Sequence, residues 1–515
     1  MQLTELPITP EAIPGAIPAW QAPVNADQLR QICRQVQAKG GRLLSLWGSD
    51  ERDNAEGFAL HVVVTTQPGL VWLSVALDKH EPAFPDLSDI FPAAGRRQRA
   101  TYDLLGIKAL GAEDDRKWLR HGAWLDGQFP LRKDADGQQA YGQEHDNYSF
   151  VKVVGEGVHE IPVGPVHAGT IEPGHFRFQI VGEKILRLEE RLGYKHKGIE
   201  KLFERMDLQQ GARLAGRISG DSTVAYAWAF AQAVEGASRT APPARALWLR
   251  ALFLERERVA NHLGDLGALG NDAGLAFGLA QFSRLKEDVL RNNQALFGHR
   301  YLMDTIIPGG VARDLAPTDN DRLISEMRVL TAEIKHLQDV YYEHAGLQDR
   351  FITTGQIAPE LAARLGLIGL AGRASGQAWD NRAQYPCEPY MQLDVRMMTH
   401  RNGDVAARVI VRFEELYESL RLCQEILAKL PMGEIFTRLN TVPAGSRGLG
   451  WVEGWRGEVL LAVQTGADAR IRRAFAHDPS WQNWPVLEYA VMGNIVPDFP
   501  LINKSFNLSY SGHDL

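Results

Sequence analysis

Two histidines and a carboxylate lie in one Pro- and Gly-rich loop of the chain. His167 and His175 flank Glu172 in the segment VGPVHAGTIEPGH, just before a strand-like run. An imidazole titrates near neutral pH and a carboxyl group can hold or release a proton, so this combination can supply protons to a bound acceptor. The same side chains could instead cap turns or lie on the surface. Which interpretation holds depends on the elements around the loop.

Several other kinds of chemistry are disfavoured. The sequence has neither a GxxxxGK(S/T) phosphate loop nor an HExxH metal helix. The small-residue run GDLGALGNDAG, Gly264 to Gly274, follows a helical pattern rather than a strand, which disfavours a dinucleotide loop. The three cysteines, Cys33, Cys387 and Cys423, are too far apart for a disulfide scaffold or an all-cysteine cluster site. A net charge of −7 disfavours nucleic-acid binding.

The elements that must position the loop divide into parts. The chain has 515 residues, of which 45% are hydrophobic, enough for more than one large core. Residues 1–25 are rich in Pro and Ala and predict an extended N-terminal arm. Residues 26–134 combine a helical pattern at Asp27 to Ala38 with Val- and Leu-rich runs, and predict a small α+β domain. Residues 135–150 lack periodicity and predict a linker.

Residues 151–515 predict a large, mainly helical domain. Strand-like pieces at Val151 to Val154 and Phe176 to Val181 come first, and a β-rich part at Gly454 to Arg473 comes near the end. The 3.6-residue periodicity between them predicts helices at Gly198 to Gln209, Ser222 to Ala237, Ala244 to Gly267, Ala280 to Phe297, Asp319 to Leu347, Ala358 to Arg364 and Val405 to Lys429. The predicted fold class is therefore α+β.

The helical pattern that begins at Ala244 carries unusually many charges. In LERERVANH, Leu254 to His262, Arg and Glu recur at helical spacing and predict a solvated or interhelical ion-pair face. His262 could belong to a proton path, although a hydrogen-bonded core histidine is the more common role.

The sequence shows no sign of membrane insertion. No apolar run approaches the roughly 18–20 residues that a spanning helix needs. The N-terminus lacks the basic region and apolar run of a secretory signal. We therefore expect the chain to lie inside the cell.

An ordered set of segments resembles a known family. VGPVHAGTIEPGHFRFQIVGEKILRLEERLGYKHKGIEKLFE, Val163 to Glu204, is similar to the start of the large subunit of membrane-bound [NiFe] hydrogenases and of its relative, the quinone-site subunit of respiratory complex I. The matching pieces that follow are RISGDS (Arg217 to Ser222), ALFLERERVANHLGDLG (Ala251 to Gly267), IPGGV (Ile307 to Val311), RASG (Arg373 to Gly376), RGE (Arg456 to Glu458) and DPSW (Asp478 to Trp481). The resemblance spans residues 150–515 and implies the fold of that subunit.

The first domain has a resemblance of its own. TYDLLGI, Thr101 to Ile107, and PLRKD, Pro130 to Asp134, resemble the signature of the small hydrophilic subunit of complex I. The match departs at the family's Glu-Arg-Glu, which is Gln98, Arg99 and Ala100 here. A fusion of both modules is the arrangement of formate-hydrogenlyase and hydrogenase-4 type large subunits, so the chain is identified as a member of that group.

The metal ligands of the hydrogenases are replaced in this sequence. In that family four thiolates hold nickel and iron, two from an RxCGxC motif and two from a DPCxxC motif. The matching positions here are Ser219, Ser222, Ser480 and Asn483. A serine hydroxyl does not replace a thiolate, which redox-active nickel and its bridged iron require. We therefore predict that this chain binds no nickel–iron centre and has no hydrogenase activity.

The resemblance to the quinone-site subunit implies a different set of residues. There the quinone headgroup lies between a histidine of the early loop and a tyrosine beyond the first long helix. His175 corresponds best to that histidine, with His167 as the competing assignment, and the tyrosine falls at Gly220. Asp221, Tyr226 or His196 could supply a proton in its place. The residues predicted to line the cavity are Glu172, Arg217, Gly220, His196 and Tyr226, with His175, His167 and Asp221 as catalytic candidates.

The resemblance implies a place in a larger assembly. The chain would be the hydrophilic core subunit of a membrane-associated redox complex, peripheral on the cytoplasmic side of the membrane. A small iron–sulfur subunit with a [4Fe-4S] cluster would deliver electrons, a quinone or similar acceptor would receive them, and antiporter-like membrane subunits would translocate protons or cations. A dehydrogenase module could be a further partner. The alternatives are an active [NiFe] hydrogenase large subunit and a non-catalytic assembly scaffold.

Overall fold

The N-terminal part of the molecule is built around a five-stranded sheet. The computed structural model describes residues 2–166 and 172–515. The strands of this part are β1 (Glu11–Ala12), β2 (Ala19–Pro23), β3 (Leu43–Asp50), β4 (Phe58–Thr65), β5 (Leu70–Leu77), β6 (Ala83–Pro85) and β7 (Lys108–Leu110), and its helices are α1 (Ala26–Ala38) and α2 (Ala94–Leu105). The sheet order is β1-β2-β5-β4-β3, and β2 runs parallel to β5. The N-terminal arm therefore contributes two strands to the sheet.

The sheet of this module is covered on both faces. Every residue of β3 and β4 is buried, as expected for Val- and Leu-rich strands enclosed between two layers. Helix α1 begins at the cap residue Asn25, whose side chain accepts a hydrogen bond from the Gln28 amide, and it buries an apolar stripe that includes Leu29 and Ile32.

The second part of the molecule is mainly helical. Its helices are α3 (Ile199–Phe203), α4 (Leu208–Ala215), α5 (Thr223–Ser238), α6 (Ala244–Asp272), α7 (Ala276–Phe297), α8 (Pro317–Glu343), α9 (Ala345–Phe351), α10 (Pro359–Leu365), α11 (Gly369–Ala374), α12 (Asn381–Gln384), α13 (Val405–Lys429), α14 (Ser480–Ala490), α15 (Phe499–Phe506) and α16 (Tyr510–Asp514). Its strands are β8 (Val158–Val163), β9 (His175–Val181), β10 (Lys184–Arg191), β11 (Ile306–Ile307), β12 (Gly310–Val311), β13 (Arg447–Glu453), β14 (Glu458–Thr465) and β15 (Ile471–His477). The arrangement confirms the predicted α+β class.

The glycine-rich run at the end of α6 belongs to a helix–helix contact. A Cβ atom added at Gly267 would lie 3.0 Å from the Phe282 side chain of α7, and one added at Gly270 would lie 2.1 Å from the Tyr341 hydroxyl of α8. The small residues therefore let neighbouring helices approach α6 closely. The small-residue spacing of this run therefore serves helix packing, although it is similar to that of a dinucleotide-binding loop.

The buried helix α5 lies against the sheet of β13, β14 and β15. A Cβ atom at Gly450 would lie 1.8 Å from the Ala229 carbonyl oxygen, and one at Gly448 would lie 1.9 Å from that of Ala233. Glycine on β13 is thus required for the close approach of the strand to the helix. This contact fixes α5 relative to the sheet of β13, β14 and β15.

Polar and aromatic contacts join the two modules. Trp47 of β3 stacks on Phe475 of β15 with ring centroids 4.4 Å apart. The Arg42 guanidinium forms two hydrogen bonds, of 2.7 and 3.1 Å, to the buried Glu458 carboxylate. Lys133 donates a 2.6 Å bond to Glu204. The sheet of the first module therefore docks directly on the last sheet of the second.

Several details of the sequence-based assignment differ from the structure. The predicted helix Asp319 to Leu347 is interrupted at His344, between α8 and α9. Val151 to Val154 form no strand, and the strand pairing with β9 lies later, at β8. The predicted helix Gly198 to Gln209 is two helices, because the chain turns between them at Arg205, whose φ is +69°. Arg205 adopts the left-handed backbone conformation at this turn. The periodicity of apolar residues carries no signal for such a turn.

Candidate functional site

The last residues of the chain fill the centre of the predicted site. Residues 507–515, here called the C-terminal segment, include the short helix α16 and are almost all buried. The Ser509 hydroxyl caps α16 by accepting a 2.8 Å hydrogen bond from the Gly512 amide. The residues predicted from the loop and from the hydrogenase motifs meet around this segment.

Hydroxyl groups from three parts of the chain form one cluster. The Ser219 Oγ donates to Asp221 Oδ1 over 2.9 Å and lies 2.9 Å from the Ser509 Oγ. The Ser509 amide donates a 2.9 Å bond to the Ser480 Oγ. Ser509 therefore joins the RISGDS motif to the DPSW motif through hydrogen bonds of hydroxyl groups.

A fixed ion pair lies beside these hydroxyls. Arg456 donates from Nη1 to Asp221 Oδ1 over 2.8 Å and from Nη2 to Asp221 Oδ2 over 2.6 Å. Burial would raise the pKa of the Asp221 carboxyl, but the Arg456 guanidinium outweighs burial and holds that pKa at about 2. Ser222 also accepts a 3.3 Å bond from Arg456. Asp221 is therefore ionised at neutral pH and acts as a fixed charge.

Tyr226 contributes a buried phenol. Its hydroxyl donates a 2.6 Å hydrogen bond to Asp478 Oδ2, while Asp478 Oδ1 accepts the Ser480 amide over 2.8 Å. Burial and the Asp478 charge raise the pKa of Tyr226 well above its usual value. The Tyr226 phenol therefore keeps its proton and donates it in a hydrogen bond to the Asp478 carboxylate.

Asn483, which the sequence predicts to replace the fourth thiolate, has a separate role. Asn483 Oδ1 accepts the Ile368 amide and its Nδ2 donates to the Ile368 carbonyl, both over 3.1 Å. Its side chain is therefore committed to the backbone before α11. Within residues 2–166 and 172–515, no group of three or more His, Cys, Asp or Glu side chains is placed to hold a metal ion.

Glu172 and His196 reach the same centre from the early loop and the turn after β10. The Glu172 carboxylate accepts hydrogen bonds from the Ser511 hydroxyl and, over 3.1 Å, from the Ser511 amide. His196 Nδ1 lies 2.7 Å from the Asp514 carbonyl oxygen. Both residues therefore hold the C-terminal segment in place.

His175 lies at the first position of β9, against the end of the linker. Its Nδ1 is 3.2 Å from the Gly164 carbonyl oxygen, and its ring centroid is 5.2 Å from that of Phe150. A Cβ atom at the preceding Gly174 would lie 2.6 Å from the Tyr510 ring, so the strand start is packed on the C-terminal segment. The competing histidine, His167, lies outside the described residues.

Two predicted cavity residues face the surface instead. Arg217 pairs with Asp304 through two 2.7 Å hydrogen bonds, and its side chain is 43% exposed. The structure therefore does not bring Arg217 to Asp221, because the turn after α4 directs it outward. Gly220 is exposed, and a Cβ atom added there would meet open space.

Three residues of the site were not predicted as site residues from the sequence. Arg456 and Asp478 lie in the matching pieces RGE and DPSW, so the motifs contained the signal. Glu257 lies within the charged run of α6, and its carboxylate accepts the amides of Val224 over 2.7 Å and Ala225 over 3.3 Å. Burial raises the pKa of Glu257 to about 8. The Asn261 side-chain amide donates to the backbone carbonyl oxygens of Asp221 and Glu257, which joins α6 to the backbone before α5.

The two modules define the class of protein. Residues 22–141 match the family model described as the 30 Kd subunit of respiratory-chain NADH dehydrogenase. Residues 272–449 match the one described as the 49 Kd subunit of the same enzyme. The chain is thus a fusion of two complex I-type hydrophilic modules.

Similarity along the whole chain identifies the family. Formate hydrogenlyase subunit 5 of Escherichia coli K12 is 32% identical, over 98% of this chain and 92% of that protein. Hydrogenase-4 component G of the same organism is 30% identical, over 92% of this chain and 84% of that protein. The carbon monoxide-induced hydrogenase of Rhodospirillum rubrum is 29% identical, over 67% of this chain and 96% of that protein. The chain belongs to the family of formate hydrogenlyase subunit 5 and hydrogenase-4 component G.

A solved structure shares the fold. One chain of the membrane-bound sulfane sulfur reductase, an archaeal respiratory membrane complex, superposes with a TM-score of 0.66 and 25% sequence identity, covering 71% of this chain and 100% of that one. Within the described part of the chain, every helix is too short or too polar to span a bilayer.

Proposed function

We propose that this chain is the hydrophilic core subunit of a membrane-associated oxidoreductase complex that passes electrons to a quinone or a similar acceptor. The observation that carries the proposal is the fusion of both complex I-type modules together with 32% identity to formate hydrogenlyase subunit 5 over nearly the whole chain. Electrons arrive from a partner iron–sulfur subunit with a [4Fe-4S] cluster, and their transfer drives proton or cation translocation by antiporter-like membrane subunits.

Reduction of the acceptor needs protons as well as electrons. A quinone becomes a quinol by taking up two electrons and two protons, and the electrons come from the partner's cluster. The Tyr226 phenol, hydrogen-bonded to Asp478, and the imidazole of His175 are groups of this chain that can hold a proton near the acceptor. Asp221 stays ionised against Arg456 and supplies a fixed charge that orients a polar headgroup.

The donor set does not fit a nickel–iron centre, so our proposal includes no hydrogen chemistry. Ser219 and Ser480 are engaged with Ser509, and Asn483 is engaged with the backbone of Ile368. Hydroxyl and amide groups lack the sulfur donation that nickel and its bridged iron need. Metal analysis of the intact complex should find nickel far below one atom per chain, and stoichiometric nickel would support the hydrogenase alternative.

The proposal places the chain at the membrane through its partners, on the cytoplasmic side. Gentle solubilisation of membranes, affinity purification of the chain and mass spectrometry of what remains bound will test it. We expect a small iron–sulfur subunit and antiporter-like membrane proteins, and a dehydrogenase module would identify the electron donor. Recovery of the chain alone, or with soluble partners only, would contradict the redox-complex assignment.

A pair of variants separates a redox subunit from an assembly scaffold. The intact complex is compared as His175→Ala, His167→Ala and, as the matched control, the exposed surface variant His80→Ala. We expect quinone-dependent turnover to fall at least tenfold in His175→Ala or His167→Ala and to remain unchanged in His80→Ala. Unchanged turnover in all three variants, with normal assembly, would favour the non-catalytic scaffold.

A further inference from the structure

A connected network of ion pairs is buried at the centre of the second module. It joins helices α6, α11, α12 and α13 to the end of strand β13. Each of its charged side chains is less than 5% exposed. Its members are the guanidinium groups of Arg258, Arg373 and Arg382, the carboxyl groups of Glu255, Asp380, Glu415 and Glu453, and the imidazole of His262.

The network contains one more carboxyl group than guanidinium groups. Guanidinium groups do not lose their protons in proteins, so one carboxylate would be left without a balancing charge. An unbalanced charge in a protein interior is costly, and a titratable group takes up a proton instead. Two ion pairs border the network, and each is balanced in itself: Arg42 with Glu458, and Arg412 with Asp265. The extra proton therefore belongs to His262 or to one of the carboxyl groups.

His262 is poorly placed to hold this proton. Its Nε2 lies 3.0 Å from Glu415 Oε2, and its Nδ1 is buried without a hydrogen-bond partner in the described part of the chain. An imidazolium ion would carry a hydrogen on Nδ1 as well, and that N–H group would be buried without an acceptor. Burial lowers the pKa of His262, although Glu415 opposes the effect. The imidazole is therefore neutral, and the proton belongs to a carboxyl group.

Three of the carboxyl groups are bound by strong donors. Glu255 accepts hydrogen bonds of 3.1 and 3.0 Å from Arg382, and a phenol and a hydroxyl group also donate to it. Asp380 accepts two side-chain bonds from Arg382, of 3.1 and 2.7 Å. Glu415 accepts a 2.7 Å bond from Arg373 Nε. Donors of this kind favour the ionised form of a carboxyl group.

Glu453 has the weakest donors of the four. Its Oε1 accepts a 2.8 Å bond from Arg373 Nη1, so it shares this guanidinium with Glu415. Its Oε2 accepts the Asn381 amide over 3.3 Å, a long hydrogen bond. Arg258 donates to the backbone carbonyl oxygen of Glu453 rather than to its carboxylate. The oxygen Oε2 is therefore the one that can carry a hydrogen.

Two neighbouring carboxylates also disfavour a negative charge on Glu453. Asp380 Oδ2 lies 3.9 Å from the Arg373 Nη1 that bonds Glu453. Glu458 is the partner of Glu453 across the strand pair β13–β14. Burial and the Asp380 charge raise the pKa of Glu453 to about 7. The electrostatics and the hydrogen bonds thus select the same carboxyl group.

We propose that this network binds one exchangeable proton, held on Oε2 of Glu453. With the proton bound, the remaining carboxylates and the guanidinium groups balance, and without it the core carries one net negative charge. The Trp455 Nε1, two residues beyond Glu453, donates a 2.9 Å bond to the Asp221 carbonyl oxygen. The proton site therefore lies directly behind the Asp221–Arg456 pair. The inference rests on the ion pairs alone and does not depend on the proposed function.

Infrared spectroscopy of the full chain tests the proposal, because a protonated carboxyl group has a carbonyl stretch separate from the bands of ionised carboxylates. Spectra of the parent and of Glu453→Gln are compared between about pH 5 and 9. Glutamine has the shape and charge of a protonated glutamate, so the fold should be retained. We expect a carboxylic-acid band that disappears with a midpoint near pH 7 in the parent and is missing in Glu453→Gln. An unchanged band in Glu453→Gln would overturn the proposal.

Two further variants serve as controls for this assignment. Glu257→Gln removes the other carboxyl group of α6 that has a raised pKa. Glu326→Gln breaks the ion pair with Arg256 on another face of α6. The band with its midpoint near pH 7 should persist in both variants. Its loss in either of them would show that the band does not belong to Glu453.

Glu415→Gln tests the charge balance of the network. This variant removes one negative charge and keeps a side-chain oxygen that can accept from Arg373 Nε. The remaining carboxyl groups then equal the guanidinium groups in number, so Glu453 should ionise more readily. We expect the midpoint of its band to fall by about one pH unit or more, a tenfold loss of proton affinity. An unchanged midpoint would contradict the network.

A further comparison keeps the test decisive if the network variants do not fold. The Glu257→Gln protein retains every member of the network. A carboxylic-acid band that titrates near pH 7 in this protein would support the proton site on Glu453. The absence of such a band would overturn the proposal.

Discussion

Two glutamates on helix α6 lie close together in sequence but differ in their partners and in their pKa values. Glu255 accepts hydrogen bonds from Arg382, Tyr390 and Ser419, and burial is outweighed by Arg382 and Arg258, so its pKa is lowered. Among the residues that the structure describes, the Glu257 carboxylate, two residues later, is bonded only by the backbone amides at the start of α5, and burial raises its pKa to about 8. Helix α6 thus has two different faces. On the compensated face, arginines balance the charge of Glu255 and neighbouring helices are held in place. On the uncompensated face, behind the site, no arginine bonds the Glu257 carboxyl in the described part of the chain.

The comparison indicates where pH can change the molecule. A buried carboxylate with guanidinium partners stays ionised and holds its geometry. A buried carboxyl without them keeps a proton at neutral pH and can exchange it. Since Glu257 lies behind Asp221, the charge behind the Asp221–Arg456 pair varies near physiological pH. The buried Glu453 also has a raised pKa, of about 7, because burial and the neighbouring Asp380 charge outweigh its pairing with Arg373.

The largest effect should come from breaking the compensated face. Arg382→Met leaves Glu255 and Asp380 without their main cation, and both carboxylates are almost fully buried. We expect the free energy of unfolding to fall by about 3–5 kcal/mol, measured by chemical denaturation. The exposed pair Arg284–Glu333 is the control, and Arg284→Met should cost less than about 1 kcal/mol. Equal losses in both variants would remove the distinction between the two faces of α6.

Matched glutamine variants should respond to pH in opposite ways. Between pH 4.5 and 8 the folded state binds more protons at Glu257 than the unfolded state does, so stability falls as pH rises, by at most about 1.4 kcal/mol per pH unit. Glu257→Gln should remove this slope and make the protein about 1–2 kcal/mol more stable than the parent at pH 8. Glu255→Gln should destabilise at every pH, because it leaves Arg382 unbalanced.

Denaturation at several pH values checks this pair of variants. A parent protein whose stability is flat between pH 5 and 8 would show that Glu257 has no raised pKa. A stabilised Glu255→Gln would reverse the contrast between the two residues.

The contribution of Asp221 to stability should change with pH in the opposite direction to that of Glu257. The folded-state pKa of Asp221 lies at about 2, below its usual value of 3.8, so its contribution is present above pH 3.8 and is lost as pH falls toward 2. Because Asp221 is partly exposed, this contribution should be below about 1 kcal/mol. Arg456→Met should abolish it in acid-unfolding curves, while Arg217→Met, which breaks the surface pair with Asp304, should not.

Periodicity predicted the helices well and the site only in part. The range Val405 to Lys429 matches α13, and Ser222 to Ala237 differs from α5 by one residue at each end. These helices are long and carry a repeating apolar pattern, which is the most reliable sequence signal. The glycine run after Leu263 continues α6 because it packs against Phe282 and Tyr341, and contacts between distant helices are absent from local sequence.

The convergence of the site residues depends on a segment that no motif contains. Ser219, Ser480 and Glu172 are brought together by Ser509 and Ser511, which follow the last matching piece by many residues. The burial of the charged run LERERVANH was likewise not evident from its composition. Glu255 pairs with Arg382 and Arg256 pairs with Glu326, so arginines and glutamates of the run form interhelical pairs within the core.

A modest, pH-independent effect should come from the neutral hydrogen bonds around Ser509. Ser509→Ala removes the cap of α16 and the contact to the Ser219 hydroxyl while leaving every charge in place. Loss of a helix cap costs about 1 kcal/mol, so the stability change should be near that value and independent of pH. Ser505→Ala, on the neighbouring α15, removes a buried hydroxyl that accepts a hydrogen bond from Arg408 of α13, and is the matched control for stability. If Ser509 organises the site, quinone-dependent turnover of the intact complex should fall several-fold in Ser509→Ala and not in Ser505→Ala. Equal turnover in both variants would show that the C-terminal segment supports the fold but not the site.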